Sequence, residues 1–248
     1  MKFINFCSGS SKNSSLIYNE DTLILIDCGV GVNLLKKELK NINKTIDDID
    51  YCFITHEHFD HIKNIKLIDP NKIYTFKKVL KSLKEDNYLK VFKEYFFKSF
   101  KIIPLKLSHD SNNIMGLYIL DLKNNDSLGY ITDTGYIPFE SLKYLYNLNY
   151  YYIESNYDEE MEISSSRSNE LISRNIGIKG HLSNSMSAIY INELINVNTS
   201  NIFLAHLSHE CNSPILALST YNELLKNNPY FKNIKIECCK QNEITYLW

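Results

Sequence analysis

Four potential metal ligands lie close together in the sequence T-H-E-H-F-D-H at residues 55–61. These ligands are His56, His58, Asp60 and His61, and they follow directly after a short apolar run. A single helix would spread them around its circumference, and a single strand would send alternate side chains to opposite faces. A loop that leaves a buried strand can instead turn His56 and His58 towards one ion and Asp60 and His61 towards a second. The segment therefore predicts a metal-dependent hydrolase.

Further candidate ligands follow other apolar stretches that are typical of strands. His109, His181 and His206 each stand where such a stretch ends and a loop begins, and Asp133 occupies the same kind of position. Polar residues at several strand ends can converge on one edge of a sheet although they are distant in sequence. Mixed nitrogen and oxygen ligands suit zinc, manganese or iron. These residues are therefore the candidates that would complete the metal site.

The composition is that of an ordinary globular protein. The chain has 248 residues, of which 44% are hydrophobic and 23% charged, and we expect one α/β domain over residues 1–248. No stretch is long enough to span a membrane, and the amino terminus lacks a signal-peptide core. The six cysteines show no CxxC spacing, which favours buried thiols and a cytoplasmic location without a membrane partner. A net charge of −2 argues against indiscriminate polyanion binding.

Strand and helix patterns alternate along the chain and predict two sheets with helices outside them. The pattern predicts the secondary structure of three segments in more detail. We expect two short helices and then a strand in residues 72–107, a helix over 138–147, and a polar helical span over 157–175. Residues 77–101 mix lysines with aromatic residues. They suit either a nucleic-acid surface with stacking rings or an amphipathic packing element.

The motif H-x-H-x-D-H at residues 56–61 resembles that of the metallo-β-lactamase fold. The resemblance implies a four-layer αβ/βα sandwich, with two mixed sheets and helices outside. It also implies two divalent ions, zinc or manganese and alternatively iron, with a bridging hydroxide as the nucleophile. The first ion would be bound by His56, His58 and His109, the second by Asp60, His61 and His206, and Asp133 would bridge the two.

Several residues narrow this resemblance. The β-lactamases of this fold have a cysteine where this chain has Asp133, and the diiron oxidoreductases have a carboxylate in place of His58, so neither activity is expected. Glu154, in Y-Y-I-E-S-N, and His181, in G-H-L-S-N, resemble the dyad of tRNase Z-like nucleases. In those enzymes the glutamate orients the histidine, which protonates the leaving oxygen. An alkoxide is a poor leaving group, so such an acid contributes strongly to phosphodiester hydrolysis.

A finer resemblance is to the YycJ/WalJ-like proteins. The shared segments are S-G-S-S at 8–11, E-S-N at 154–156, G-H-L-S-N at 180–184 and L-A-H-L-S at 204–208. This resemblance implies a DNA exonuclease that runs 5′ to 3′, with DNA favoured over RNA as the substrate. The implied catalytic residues are Asp60, which would help to hold the nucleophile, and the pair His181 and Glu154. The chain departs from the expected pattern at Lys12 and Tyr157.

Five residues are candidates for substrate binding. The serine-rich loop containing Ser10 and Ser11 could offer hydroxyl and N–H groups to a phosphate, or could be an ordinary turn. Asn184 near a helix start could bind phosphate or could cap the helix. Arg167 and Arg174 are the arginines of the chain, and their planar guanidinium groups suit phosphate. They would share one face if their segment were a single helix.

Two other functions remain open. The same site could hydrolyse a small ester, a lactone or a cyclic nucleotide, and a substrate screen would separate this from nuclease activity. The chain could also be a non-catalytic, metal-stabilised regulator. The full ligand set together with the His181 and Glu154 pair argues against that role, since a structural metal site needs no leaving-group acid. The sequence does not determine the oligomeric state.

Overall fold

The computed structural model describes residues 1–111 and 113–246 of the chain. The strands in these residues are β1 (Lys2–Cys7), β2 (Ser14–Tyr18), β3 (Leu23–Ile26), β4 (Tyr51–Phe53), β5 (Ile73–Tyr74), β6 (Tyr95–Phe97), β7 (Phe100–Lys106), β8 (Met115–Asp121), β9 (Ser127–Ile131), β10 (Tyr150–Glu154), β11 (Asn201–Ala205), β12 (Lys235–Cys238) and β13 (Thr245–Tyr246). The helices are α1 (Val32–Asn41), α2 (Phe59–Ile62), α3 (Phe139–Leu142), α4 (Glu159–Ile163), α5 (Asn169–Ile176), α6 (Asn184–Leu194) and α7 (Pro214–Leu225).

The strands form two mixed sheets. The first sheet has the strand order β13-β1-β2-β3-β4-β5, and the second has the order β12-β11-β10-β9-β8-β7-β6. In the first sheet β1, β2 and β3 are antiparallel neighbours, and β3, β4 and β5 pair in parallel. In the second sheet β9, β10, β11 and β12 are parallel, and β6 to β9 are antiparallel. The expected fold class of two mixed sheets is confirmed.

Side chains of strand β10 show how the layers pack. Tyr152 points to the first sheet, where its ring lies 5.5 Å from that of Phe3 in β1. Its neighbours Tyr151 and Ile153 belong instead to a second apolar cluster, which contains the buried residues of α6 and α7. This alternation is the period of a strand buried on both faces. The two sheets therefore pack on each other, and helices cover the outer face of the second sheet.

The expectation of two short helices in residues 72–107 is wrong. The described segment contains β5, a single 3₁₀ turn at Glu85–Asn87, and the hairpin of β6 and β7. Phe97 is buried against Tyr51 and Tyr74, with ring centroids 4.9 and 4.8 Å away, whereas Phe96 is exposed. Such alternation of buried and exposed side chains is typical of a strand. The sequence does not indicate it, because lysine and aromatic residues are mixed in this segment. At least this part of 77–101 is a packing element of the sheet edge.

The predicted helix over 138–147 is also too long. Only α3, Phe139–Leu142, is helical. After Leu142 the backbone continues in i→i−3 turns, from Tyr144 N–H to the Ser141 carbonyl and from Leu145 N–H to the Leu142 carbonyl. The hydroxyl of Tyr151 donates to the carbonyl of Leu145 and accepts from the N–H of Leu148. Asn147 then adopts a left-handed conformation with φ 58°, so the predicted helix is a short helix followed by turns.

The polar span 157–175 is two helices, not one. Helix α4 ends at Ile163, and the side chain of Ser168 caps the start of α5 by accepting from the N–H of Leu171. Arg167 lies in the connection, and Arg174 lies in the last turn of α5. The two arginines therefore do not share one helical face.

The cysteines and the helices agree with the expectations from composition. The six cysteines are free, and all but Cys238 are buried. Within residues 1–111 and 113–246, none of the helices has the length and apolar character that crossing a membrane requires. A single domain over 1–248 stays a prediction.

Candidate metal centre

Ligand candidates from both sheets meet at one end of the strands. The T-H-E-H-F-D-H segment follows β4 of the first sheet. His109, Asp133 and His206 follow β7, β9 and β11 of the second sheet, in each case within three residues of the strand end. Short strands that end at the same edge deliver these side chains to one place. The structure thus brings together all seven residues that the resemblance implies as metal ligands, namely His56, His58, Asp60, His61, His109, Asp133 and His206.

Three residues of the site turn away from their strands through left-handed backbone. The φ angles are 58° at Asp27, 54° at Asp133 and 55° at His206. Such angles are sparsely populated by residues other than glycine and persist when the surroundings hold them. At His206 the N–H donates to Ser8 Oγ at 2.7 Å, and the carbonyl accepts from Asn156 Nδ2 at 2.7 Å. The backbone of this ligand candidate is therefore held from both sides.

The ligand candidates form two adjoining groups. His56, His58 and His109 have ring centroids 4.5 to 5.4 Å apart, and one donor atom from each lies within 4.8 Å of the others. The second group consists of Asp60, His61 and His206. One oxygen of Asp133 lies 3.3 Å from Nε2 of His61, and the other lies 3.3 Å from Nε2 of His206. Asp60 Oδ2 is 3.2 Å from Nε2 of His61. Ligand atoms of Asp133, His61 and His56 also lie within 4.8 Å of one another, so Asp133 is placed to serve both groups.

The other ring nitrogen of each buried histidine has a partner of its own. This arrangement fixes the ring and leaves Nε2 for the cavity, as is usual for histidines that bind metals. The Nδ1 partners are Thr55 Oγ1 for His56 at 3.1 Å, Asp27 Oδ2 for His61 at 2.8 Å, the Gly180 carbonyl for His109 at 3.0 Å, and Glu154 Oε1 for His206 at 3.0 Å.

Two buried nitrogen atoms test whether the site suits a metal. Nε2 of His56 and Nε2 of His206 lack a hydrogen-bond partner among the described residues. A buried polar atom without a partner costs about 1–3 kcal/mol, so two of them in one cluster need an explanation. Metal ions bound by these nitrogens remove that cost, and the donor set of imidazole nitrogens and carboxylate oxygens suits zinc, manganese or iron. The residues present therefore fit divalent metals.

The protonation states also suit cations. Burial, and then the neighbouring His61, hold the pKa of His56 well below its usual range, and burial lowers the pKa of His109. Burial opposes ionisation of Asp133, but His206 and His61 overcome it and bring its pKa well below the ordinary value. Neutral imidazoles and ionised carboxylates are the forms that bind metal.

Two histidines carry protons until a metal displaces them. Burial alone would lower the pKa of His61, but the charges of Asp27 and Asp133 raise it well above the ordinary value. Burial likewise opposes protonation of His206, and Asp133 and Glu154 nevertheless raise its pKa to about 9. Metal binding at these two nitrogens must therefore release protons.

Glu154 and His181 lie beside the ligand group. The Nδ1 atom of His181 is 2.7 Å from Oε1 of Glu154. The second oxygen of this buried glutamate accepts from the backbone N–H groups of Thr134 and Leu182. Burial would raise the pKa of Glu154, but His181 and His206 lower it, so the side chain is an ionised acceptor. Because Nδ1 of His181 is taken, Nε2 is the nitrogen left for the cavity.

The cavity over these residues has a volume of about 320 Å³. Of the five candidates for substrate binding, Ser10, Arg167 and Arg174 line it, together with Asn175 and Leu171 of α5. Ser11 is exposed and is not among the lining residues.

Asn184 does not reach the cavity. Its side chain is fully buried, accepts from the hydroxyl of Ser155 at 2.6 Å and exchanges hydrogen bonds with Asn212. The helix start itself is capped by Ser183, which accepts from the N–H of Met186. Asn184 therefore holds the 155–156 loop against the 212 loop, and its predicted role as a substrate ligand is wrong because its side chain is buried among these partners.

Sequence reasoning missed several residues that support the site. Asp27 binds both His61 and Thr55, and Asn13 donates to Asp60 Oδ2 at 2.7 Å. Asp110 Oδ1 lies 3.2 Å from Nε2 of His109. Asp27 follows the apolar run Leu23–Ile26 just as Asp133 follows β9, so the strand-end signal could have found it. Asn13 gives no such signal.

Close backbone packing beside Asp60 requires glycine at position 29. A Cβ atom on Gly29 would lie 1.7 Å from the backbone oxygen of Asp60, whereas a Cβ on Gly31 would meet nothing within 4 Å. We expect Gly29→Ala to lower the free energy of unfolding by about 3 kcal/mol because three chain segments must separate. Gly31→Ala, the matched control, should cost less than about 1 kcal/mol. Urea unfolding of both variants measures this, and equal losses would contradict it.

Comparison with known proteins agrees with this geometry. Residues 8–136 match the family model of the metallo-beta-lactamase superfamily. Exodeoxyribonuclease WalJ of Streptococcus pneumoniae serotype 2 is 30% identical over 233 residues, which cover 88% of this chain and 86% of that protein. Exodeoxyribonuclease YycJ of Bacillus anthracis is 26% identical over 242 residues, which cover 93% and 91%.

A solved structure extends the match over the whole fold. The crystal structure of the metallo-beta-lactamase fold protein YhfI from Bacillus subtilis superposes with a TM-score of 0.70. It is 15% identical in sequence and covers 99% of both chains. This likeness concerns the fold, and it confirms the sandwich expected from the motif. The chain therefore belongs to the metallo-beta-lactamase superfamily and, within it, to the WalJ/YycJ-like proteins.

Proposed function

We propose that this protein is a metal-dependent phosphodiesterase that removes nucleotides from DNA ends in the 5′ to 3′ direction. The observation that carries the proposal is the hydrogen-bonded pair of His181 and Glu154 beside the metal-ligand residues. The names of the two relatives, both exodeoxyribonucleases, support DNA as the substrate. The free cysteines are in keeping with a reducing, cytoplasmic location.

The proposed ligands follow the two groups in the site. His56, His58 and His109 would bind one ion, Asp60, His61 and His206 the other, and Asp133 would contact both. We favour zinc or manganese, with iron as the alternative. Bound there, the ions would lower the pKa of a water molecule and stabilise negative charge on phosphate oxygens.

The protein's own residues complete the chemistry. Asn13 holds Asp60 in place through its side-chain amide, and we assign Asp60 the role of orienting the attacking water. His181 donates the proton on Nε2 to the departing sugar oxygen. Glu154 accepts a hydrogen bond from Nδ1 throughout, so it fixes the ring and stabilises the protonated imidazole. A positioned acid of this kind contributes about 10²–10⁴-fold to such a reaction.

The function is tested with DNA labelled at one end. The purified protein is stripped with EDTA, reconstituted with Mn²⁺, Zn²⁺ or Fe²⁺, and incubated with duplex and single-stranded DNA labelled at the 5′ or the 3′ end. We expect a 5′ label to appear at once as a mononucleotide and a 3′ label to appear in progressively shorter strands. RNA of the same sequence should react more slowly. If no metal supports hydrolysis of any of these strands, the proposal is wrong.

Metal removal should also lower stability. Metal ions at free concentrations of 100 to 1,000 times their dissociation constants stabilise a protein by about 3–4 kcal/mol per site, because they bind only the folded state. Two ions per chain therefore contribute about 6–8 kcal/mol, and for a chain of this size we expect EDTA to lower the melting temperature by roughly 20 °C. Differential scanning calorimetry with and without added Mn²⁺ measures the shift. If the melting temperature is the same with the chelator, with added metal and with neither, the ligand assignment is contradicted.

A further inference from the structure

Helix α5 forms one wall of the cavity. Leu171, Arg174 and Asn175 of this helix line the cavity, and Arg167 joins them from the preceding connection. Among the described residues that line the cavity, these two arginines are the cationic side chains other than histidine. Their surroundings differ, and the difference decides which of them can bind a ligand.

Arg167 is committed to the protein. Its Nη1 atom donates to both oxygens of the buried Glu162, Nε donates to Glu210, and Nη2 donates to Ser208. Glu162 also accepts from Asn175 at 2.7 Å, so the same carboxylate holds two residues of the wall. The side chain of Arg167 is only 17% exposed. Arg167 therefore holds α5 in place.

Arg174 keeps most of its donors available. Its Nε atom donates to Oδ2 of Asp110, and its two terminal nitrogens have no hydrogen-bond partner among the described residues. The side chain is 48% exposed. A guanidinium with both terminal groups free presents the planar fork that matches a phosphate group. Leu171, one helical turn earlier, lies on the same side and offers an apolar surface beside it.

Asp110 links this arginine to the metal-ligand residues. Its other oxygen lies 3.2 Å from Nε2 of His109 and 3.8 Å from Nε2 of His58. A single carboxylate therefore separates Arg174 from the first ligand group. The same carboxylate thus contacts both the guanidinium and the two imidazoles, and it occupies only the Nε atom of Arg174. Arg174 is next to the place where the scissile phosphate would be held, but not in it.

We propose that Arg174, held by Asp110, binds the phosphate that neighbours the scissile one on the substrate strand. This inference rests on the proposed nuclease function and names the feature that separates a polynucleotide from a lone phosphodiester. Asp110 is a positioning residue, because it acts on the substrate through Arg174. Its carboxylate orients the fork and prevents Arg174 from extending into solvent.

The test combines an arginine variant with neutral linkages in the substrate. Single methylphosphonate linkages, which lack the negative charge, are placed one at a time on either side of the bond to be cleaved in a short DNA strand. Each strand is hydrolysed by the metal-reconstituted wild type, by Arg174→Ala and by Arg174→Lys. Lys40→Ala is the matched control, because Lys40 is also a cation in the last turn of an exposed helix and does not line the cavity.

For the wild type we expect a methylphosphonate at one position next to the cleaved bond to lower kcat/KM by about 10-fold or more. Arg174→Ala should lose a similar factor on unmodified DNA, chiefly through KM, and should no longer respond to that neutral linkage. Arg174→Lys should lie between the two, since lysine keeps the charge and loses the fork. Lys40→Ala should behave as the wild type does. Loss of the same factor by Arg174→Ala on every strand would overturn the proposal.

Binding distinguishes this inference from the proposed function. The dissociation constants of the same labelled strands are measured by fluorescence anisotropy with EDTA-treated protein, which does not require turnover. If the wild type cleaves no DNA, the proposed function fails, and Arg174 is still tested by whether its removal erases the effect of the neutral linkage on binding. If wild-type affinity is the same for all strands, the assignment to Arg174 fails while the nuclease proposal stands.

Discussion

Asp133→Asn is expected to abolish DNA hydrolysis and to lower the metal content of the protein. The two oxygens of Asp133 face Nε2 of His61 and Nε2 of His206 in the second ligand group, and Asp133 also clusters with His56 of the first group, so this carboxylate lies between the two groups. Asparagine keeps the shape and removes the charge. Because stabilisation of transition-state charge by the ions is worth several kcal/mol, we expect kcat/KM to fall by about 10³-fold or more.

The fold should survive this change. Asp133 has a φ of 54°, and asparagine is among the residues that adopt this left-handed region most readily. The far-ultraviolet circular dichroism spectrum and the elution volume in size-exclusion chromatography should therefore match those of the wild type. Asp86→Asn is the matched control, since Asp86 is an exposed aspartate in the 3₁₀ turn far from the ligand residues in sequence.

Metal analysis decides between explanations of a loss in activity. We expect two ions per chain in the reconstituted wild type and in Asp86→Asn, and one or none in Asp133→Asn, by inductively coupled plasma mass spectrometry. A variant that retains both ions but is inactive would show that Asp133 acts on the substrate and not on the metals. A variant with full metal content and full activity would refute the ligand assignment altogether.

The position of the metal site could be predicted from the sequence because its signal is local. His56, His58, Asp60 and His61 occupy one loop, and their density alone indicates a metal. The distant ligands His109, Asp133 and His206 have a weaker signal, a polar residue directly after an apolar run. That signal is physical, since strands that end at one sheet edge bring such residues together.

The supporting interactions could not be predicted in the same way. Asp27 binds His61 from 34 positions away, and Ser8 accepts the N–H of His206 from 198 positions away. The strand-end position marks Asp27 as a candidate but does not indicate that its partner is His61, and nothing in the local pattern distinguishes Ser8 from an ordinary turn residue. Asn184 shows the opposite error, because a helix start suggested a phosphate ligand while tertiary packing buries its side chain. Hydrogen bonds across the fold decide such cases.

Predicted element boundaries were wrong where turns and side-chain caps interrupt a helical pattern. Helix α3 ends at Leu142 and passes into i→i−3 turns, and the hydroxyl of Tyr151 then donates to the carbonyl of Leu145. The cap at Ser168 divides the expected helix over 157–175 and places Arg167 and Arg174 in different environments. That second difference changes a functional prediction, since Arg167 is held by Glu162, Glu210 and Ser208, and only Arg174 is proposed to bind phosphate.

His181→Ala should separate leaving-group chemistry from metal binding. DNA has an alkoxide leaving group, which needs a proton, and we expect its hydrolysis to fall by about 10²–10⁴-fold. Bis(p-nitrophenyl) phosphate releases a nitrophenolate that departs without a proton, so its hydrolysis should fall far less. The comparison of kcat for the two substrates, in the same variant and with the same metal, is the measurement.

Glu154→Gln should behave differently from His181→Ala although the two residues form one pair. Oε1 of Glu154 contacts Nδ1 of His181 and also Nδ1 of His206, which is a proposed ligand. Loss of the carboxylate therefore weakens both the acid and the metal site, and partners of metal-binding histidines typically contribute 10–100-fold to metal affinity or activity. We expect Glu154→Gln to reduce metal affinity and to slow both substrates.

Metal content again distinguishes the alternatives for His181. Its side chain belongs to a cluster with Asp133, Glu154 and His206 whose donor atoms lie within 4.8 Å of one another, an arrangement that could also hold an ion. If His181 is the acid, His181→Ala keeps two ions per chain and loses DNA hydrolysis selectively. If His181 is a ligand, the variant loses an ion and slows both substrates alike. The first result assigns the proton to His181, because only a proton donor is needed for one leaving group and unnecessary for the other.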